Sequence, residues 1–108
     1  MSEGTAHIFF IDASAALFNS TVYAVATDHN NQRHKLGIVN AGKTHLFDLG
    51  DIPGLRNGDN LRVEIISGQG FENMDTVVIT FIKDASKKAS FLVTGTATNP
   101  NIAFQGLE

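Results

Sequence analysis

Apolar residues in this chain recur at every second position in short runs, and each run stops at Gly, Asn, Asp or Ser. That combination of period and punctuation dictates strands joined by turns. From Asn60 to Ser67, Leu61, Val63 and Ile65 fall on one face of an extended segment while Arg62 and Glu64 fall on the other. Asp75 to Lys83 repeats the pattern with Val77, Ile79 and Phe81 on one face, and Val78 and Ile82 make its second face partly apolar. Ala89 to Thr96 sets Phe91 and Val93 against Ser90, Leu92 and Thr94, and Ile102 with Phe104 supplies a last short strand.

Nearer the start, His7 to Asp12 is apolar on both faces and reads as a strand covered on both sides; Ser20 to Thr27 is a second strand of mixed facing. Ala13 to Phe18 between them is Ala-rich but too short for a helix that stands alone, so a loop or single turn capped by Asp12 or Ser14 is expected. Lys35 to Val39 and Thr44 to Leu49 make two further strands, broken at Asn40-Ala41-Gly42, where Gly42 can take a positive φ. Pro53-Gly54 fits the centre of a type II turn and Asn57-Gly58-Asp59 a second turn, which makes Gly50 to Asp59 the expected crossover between sheets. Strands at a spacing of about ten residues predict an all-β fold: a single-domain antiparallel β-sandwich of about seven to eight strands, similar in pattern to immunoglobulin-like or jelly-roll sandwiches.

A chain of 108 residues suits one core, and 43% hydrophobic with 18% charged residues sets it apart from disordered sequences. The absence of cysteine excludes a disulfide framework and thiolate metal sites. Net charge is −3 and only Lys87-Lys88 are adjacent bases, so the footprint of a nucleic-acid binder is missing. Met1 to Ala6 lacks the basic start of a signal peptide and HIFFI is too short to span a bilayer, so a cytoplasmic protein with no membrane span is expected. Leu107-Glu108 reads as a cloning-site remnant behind a domain at 1–106.

Chemistry-bearing motifs are few. His7, His29, His34 and His45 show no zinc spacing, although His29 and His34 could meet across a turn. Asp28, Asn30 and Asn31, or Asp48, Asp51 and Asp59, offer hard oxygens for calcium without matching a loop motif, and Asx turns explain them as well. There is no G-x-S-x-G elbow, and Glu64 and Asp48 alternate with core positions as solvated outward residues rather than as an acid–base dyad. Gly68-Gln69-Gly70 lacks the Lys-Ser/Thr pair and the following helix of a phosphate loop, and Asn19-Ser20-Thr21 is a glycosylation triplet without a secretory signal. No cofactor and no catalytic activity are expected.

Three stretches carry side chains suited to polyols: Asp28, His29, Asn30, Asn31, Gln32 and Arg33; Phe71, Glu72, Asn73, Met74 and Asp75; and Asn99-Pro100-Asn101. Planar amides and carboxylates pair with adjacent hydroxyls, and an aromatic face covers the apolar side of a sugar ring. Phe71 can be that face, or it can fold back to cap the sandwich; zero Trp and one Tyr weigh against a lectin. The expected function is a non-catalytic binding module, with a glycan as first ligand class and the loops Asp28 to Arg33 and Phe71 to Asp75 as the site. The surplus apolar character of HIFFI and VVITFI points to a homo-oligomer, or else to central strands of a curled barrel. A structural, self-assembling protein and a small enzyme whose residues meet only in three dimensions are the competing readings.

Overall fold

A computed structural model describes residues 2–108. The strands are β1 (Ser2–Ala6), β2 (Ile8–Asp12), β3 (Ser20–Ala26), β4 (Gln32–Val39), β5 (Thr44–Asp48), β6 (Asn60–Ser67), β7 (Glu72–Met74), β8 (Val78–Phe81), β9 (Lys88–Thr96) and β10 (Asn99–Leu107). A 3₁₀ turn at Leu49–Asp51, capped by Asp48, follows β5. One sheet runs β1-β8-β6-β3-β4 with β7 also on β6, and the other runs β10-β9-β2-β5. Their inner faces share one core, with Val22, Leu61, Val63, Ile65, Ile79 and Phe81 from the first sheet and Phe9, Ile11, Phe91, Val93 and Ile102 from the second. Each such side chain contributes roughly 1.5–3 kcal/mol by leaving water, which is how a chain without disulfides holds a sandwich together. Among the described residues no helix is long and apolar enough to cross a membrane.

The all-β sandwich is as the alternation predicts, and Leu61, Val63 and Ile65 do share the inner face of β6. The sheets, however, are mixed rather than wholly antiparallel. β1 lies parallel to β8 (Ser2↔Val78, Ala6↔Phe81) and β2 lies parallel to β9 (Ile8↔Lys88, Asp12↔Leu92). The chain changes sheets at Ala6-His7, a joint fixed where Ile82 N donates to Ala6 O, His7 N to Lys87 O and Leu49 N to His7 O. Side-chain alternation reports facing and carries no information about the direction of the neighbour.

Among the described residues ten strands replace the expected seven or eight. Ser2–Ala6 has too little apolar character to read as a strand but pairs all the same, and β7 is a three-residue strand inside a stretch read as loop. The run expected from Asp75 begins only at Val78, because Asp75 Oδ1 accepts from Val77 N and bends the chain. At the far end Leu107 pairs with Ala89 and Glu108 exchanges two backbone hydrogen bonds with Lys88, so the residues set outside the domain continue β10. Gly42 has φ +80, Gly54 +88 and Gly58 +98, as the three turns require, and the Gly50 to Asp59 segment does cross from one sheet to the other.

Candidate functional site

The tips of the two loops read from sequence as one site lie at opposite ends of the sandwich, although Met74 and Asp75 run back along β6 to Glu64 and Val63. In the antiparallel pair β3–β6, Ala26 faces Leu61 and Ser20 faces Ser67, so the turn after β3 and the loop after β6 are separated by the length of β6, about 23 Å.

The β3–β4 turn is held by its own polar residues. Asn30 and Asn31 both take φ 57, the left-handed region that Asn tolerates. Asp28 Oδ2 accepts from Asn60 Nδ2 at 2.7 Å, and His29 Nε2 meets Asp59 Oδ1 at 3.2 Å. Asp59, itself buried, accepts with its second oxygen from Arg56 N at 2.8 Å. Asp28 and His29 therefore fasten the turn to the segment that leads into β6. Asn30 and Asn31 stay exposed, and Arg33 points to the outer face of its sheet.

On that face Arg33 Nε stands 2.8 Å from Glu64 Oε1, and its guanidinium carbon lies 4.3 Å from the centroid of the Tyr23 ring. Glu64 does point outward, but it is 8% exposed and not solvated, because Tyr23 on β3 and Met74 on β7 flank it in register. The Arg33 N–H is not aimed at Oε1, which is left buried without a directed hydrogen bond. Arg62 beside it donates from Nε to Asp75 O at 2.8 Å.

At the other end, Ser67 organises the loop before β7. Its N–H donates to Phe71 O at 2.8 Å, its carbonyl accepts from Gly70 N at 2.9 Å, and its hydroxyl accepts from Phe71 N at 3.3 Å. Phe71 does not fold back over the core; it is 48% exposed, and Glu72 beside it is exposed as well. Asn73 is committed to the fold, its Oδ1 accepting from Ile102 N of the opposite sheet at 3.0 Å. Asp75 closes β7 through its N–H to Val63 O, and its Oδ2 is buried without a partner. The Ser67 hydroxyl donates to Ala97 O at 2.6 Å, which draws the start of β10, with exposed Asn99 and Asn101, toward the Phe71 loop. Two of the three polyol-type stretches are thus neighbours, and Asp28 to Asn31 stand apart, while Arg33 reaches Glu64 beside Met74.

The remaining candidates disperse. His7 sits at the joint between the sheets, His34 lies buried under the turn at Gly54, and His45 packs on Phe47 with ring centroids 4.4 Å apart. Among the described residues no three His, Cys, Asp or Glu side chains gather as a metal site, and no pocket forms. Asp12 Oδ1 accepts from Ser14 Oγ at 2.6 Å and from Ser14 N at 2.9 Å; these two bonds hold its carboxyl below the usual carboxylate range against a small opposing effect of burial. Ser67 and Asn19, which join loops at the Phe71 end, were not legible as site-forming residues. A Ser placed before Gly-Gln-Gly is the one signal that an ST-type turn organises that loop. Comparison with protein-family models, with curated proteins and with solved structures returned no match.

Proposed function

We propose that the protein is a non-catalytic binding module that takes a glycan at the Phe71 end of the sandwich. The observation that carries this reading is the half-exposed Phe71 ring, held on a loop that Ser67 pins with three hydrogen bonds. A ring presented without freedom to collapse offers a platform for the apolar face of a sugar at low entropic cost. Exposed Gln69 on the same loop and Glu72 beside it supply a planar amide and a carboxylate for hydroxyls, while Asn99 and Asn101 pair with Thr96 and Thr94 on the outer face of the other sheet. Asp28 and His29 leave the ligand set because their side chains are spent on Asn60 and Asp59. Screening the protein and Phe71→Ala on a glycan array tests the reading. The expected result is a small set of bound glycans whose signals drop about tenfold or more in the variant; a bare array, or signals that Phe71→Ala leaves intact, rejects it.

A second reading, self-association, rests on the outer face of the β10-β9-β2-β5 sheet. Ile8, Phe10 and Leu92 are half-buried there, Leu46 is exposed, and Ser90 opposite Phe10 is buried with its hydroxyl unpartnered. Lys88 lies over the Phe10 ring at the edge of this face, 5.3 Å from its centroid, and the apolar part beyond it is stabilised when a second copy covers it. Sedimentation at rising concentration is expected to show a dimer that Leu46→Glu dissociates; a monomer throughout the range rejects it.

A further inference from the structure

The sugar reading leaves Leu17 without a use, although Leu17 at 78% is the most exposed large apolar side chain among the described residues. Its neighbour Phe18 turns into the core at 5%, so the chain presents Leu17 outward while the segment around it is held. Leu17 lies at the same end as Phe71. The segment 13–19 leads from β2 to β3, and 40–43, 68–71 and 97–98 close the same end from β4, β6 and β9. Ile38, at 57% exposure, stands just before the second of these.

Lys43 is the one ionisable side chain in residues 13–19, 40–43, 68–71 and 97–98. The opposite end is built differently, with Asp28, Asp51, Arg56, Lys83, Asp84 and Lys87 in its connections. Charge is therefore segregated along the strand axis. The uncharged end also pairs its own backbone: Ala13 N donates to Lys43 O, Gly42 N to Ala13 O, Gly68 N to Asn19 O, and Ala41 N to Asn19 Oδ1, all at 2.8–3.1 Å.

We propose that this end docks on the surface of a lipid bilayer with neutral, zwitterionic headgroups. Such a surface accepts projecting apolar side chains, penalises charges carried inward and penalises unpaired backbone polar groups. The tips of these loops meet the first two conditions, and the backbone at Ala13, Ala41, Gly42 and Gly68 meets the third. Attraction to anionic lipid needs a cluster of bases, and Lys43 stands alone, with Asp12 and Glu72 at the bases of the neighbouring loops. The contact is thus apolar and insensitive to salt. It shares the 68–71 loop with the glycan reading but rests on a different side chain, Leu17 on segment 13–19.

The chain has no tryptophan, so Leu17→Trp reports on this tip alone. Added phosphatidylcholine vesicles should shift its emission to the blue and carry the protein into the vesicle pellet, equally at low and high salt. Asp84→Trp at the opposite end should show no shift. Leu17→Ser should lower the vesicle partition of the otherwise native chain roughly tenfold, with an unchanged thermal transition because the side chain is exposed, and with array signals for glycan retained. Three outcomes overturn the proposal: no pelleting and no shift; pelleting only with anionic vesicles and abolished by salt; or a shift that appears without lipid as protein concentration rises, which assigns the end to a second copy.

Discussion

Asp12 shows how a single residue can hold a loop from outside the core. Its carboxylate accepts two hydrogen bonds from Ser14 and turns the chain from β2 into the segment that presents Leu17. Those bonds favour the ionised form, so their stabilisation is fully present above the unfolded pKa, about 4, and fades as pH falls through the lower folded value. Asp12→Asn should flatten the acid limb of stability measured by urea melts from pH 6 downward, and a limb of unchanged slope would contradict this. Gly95 carries a sharper constraint: at φ +93 a Cβ there would collide with the carbonyl oxygen of Asn99 across the β9–β10 turn. Gly95→Ala should cost about 1–3 kcal/mol in denaturant melts, whereas Gly42→Ala, strained at φ +80 but with open space around it, should cost less. At this scale the alternation of Leu61, Val63 and Ile65 and the positive φ of Gly42 were legible, because each follows from local geometry. The burial of Glu64 was not, since it depends on Tyr23 and Met74 arriving from two other strands.

Among the elements, the connections divide into those tied by side chains and those tied by backbone. Asp59 belongs to the first kind, joining the β3–β4 turn through His29 and the segment before β6 through Arg56 N. Asp59→Ala should cost roughly 1–3 kcal/mol and raise amide exchange at residues 27–31, leaving exchange in β9 unaltered; unchanged protection in the turn would sink this account. Asn73 bridges the sheets, and Asn73→Ala, which orphans the buried Ile102 N–H, should destabilise by a similar amount. Element by element, the longer strands could be read because their apolar faces are complete. β1 and β7 could not: β1 is held by pairing to β8, with Thr80 Oγ1 donating to Ser2 Oγ, and β7 is three residues of which only Met74 is apolar. The candidate site was half legible for the same reason. Residue types named both loops as polar and exposed, but only the β3–β6 register reveals that their tips stand at opposite ends.

For the molecule as a whole, the first strands complete their sheets only when the last strands are in place, since β1 pairs with β8 and β2 with β9. Pairings between segments so distant in sequence close large loops, and refolding should accordingly be slow, on the order of milliseconds to seconds. Refolding in the microsecond range, measured by temperature jump, would argue against the parallel pairings. The same arrangement determines how the molecule answers a pull. A segment attached at Ser2 draws β1 backward along β8, and one attached at Leu107 draws β10 forward along β9, so both terminal strands slide lengthwise past their neighbours instead of peeling from them. Sliding loads the hydrogen bonds of a strand together, where peeling would open them one at a time. Stretched by its ends, the sandwich is expected to hold to a high rupture force and then give way in one step, a mechanical clasp formed by strands that in solution merely close the edges of two sheets.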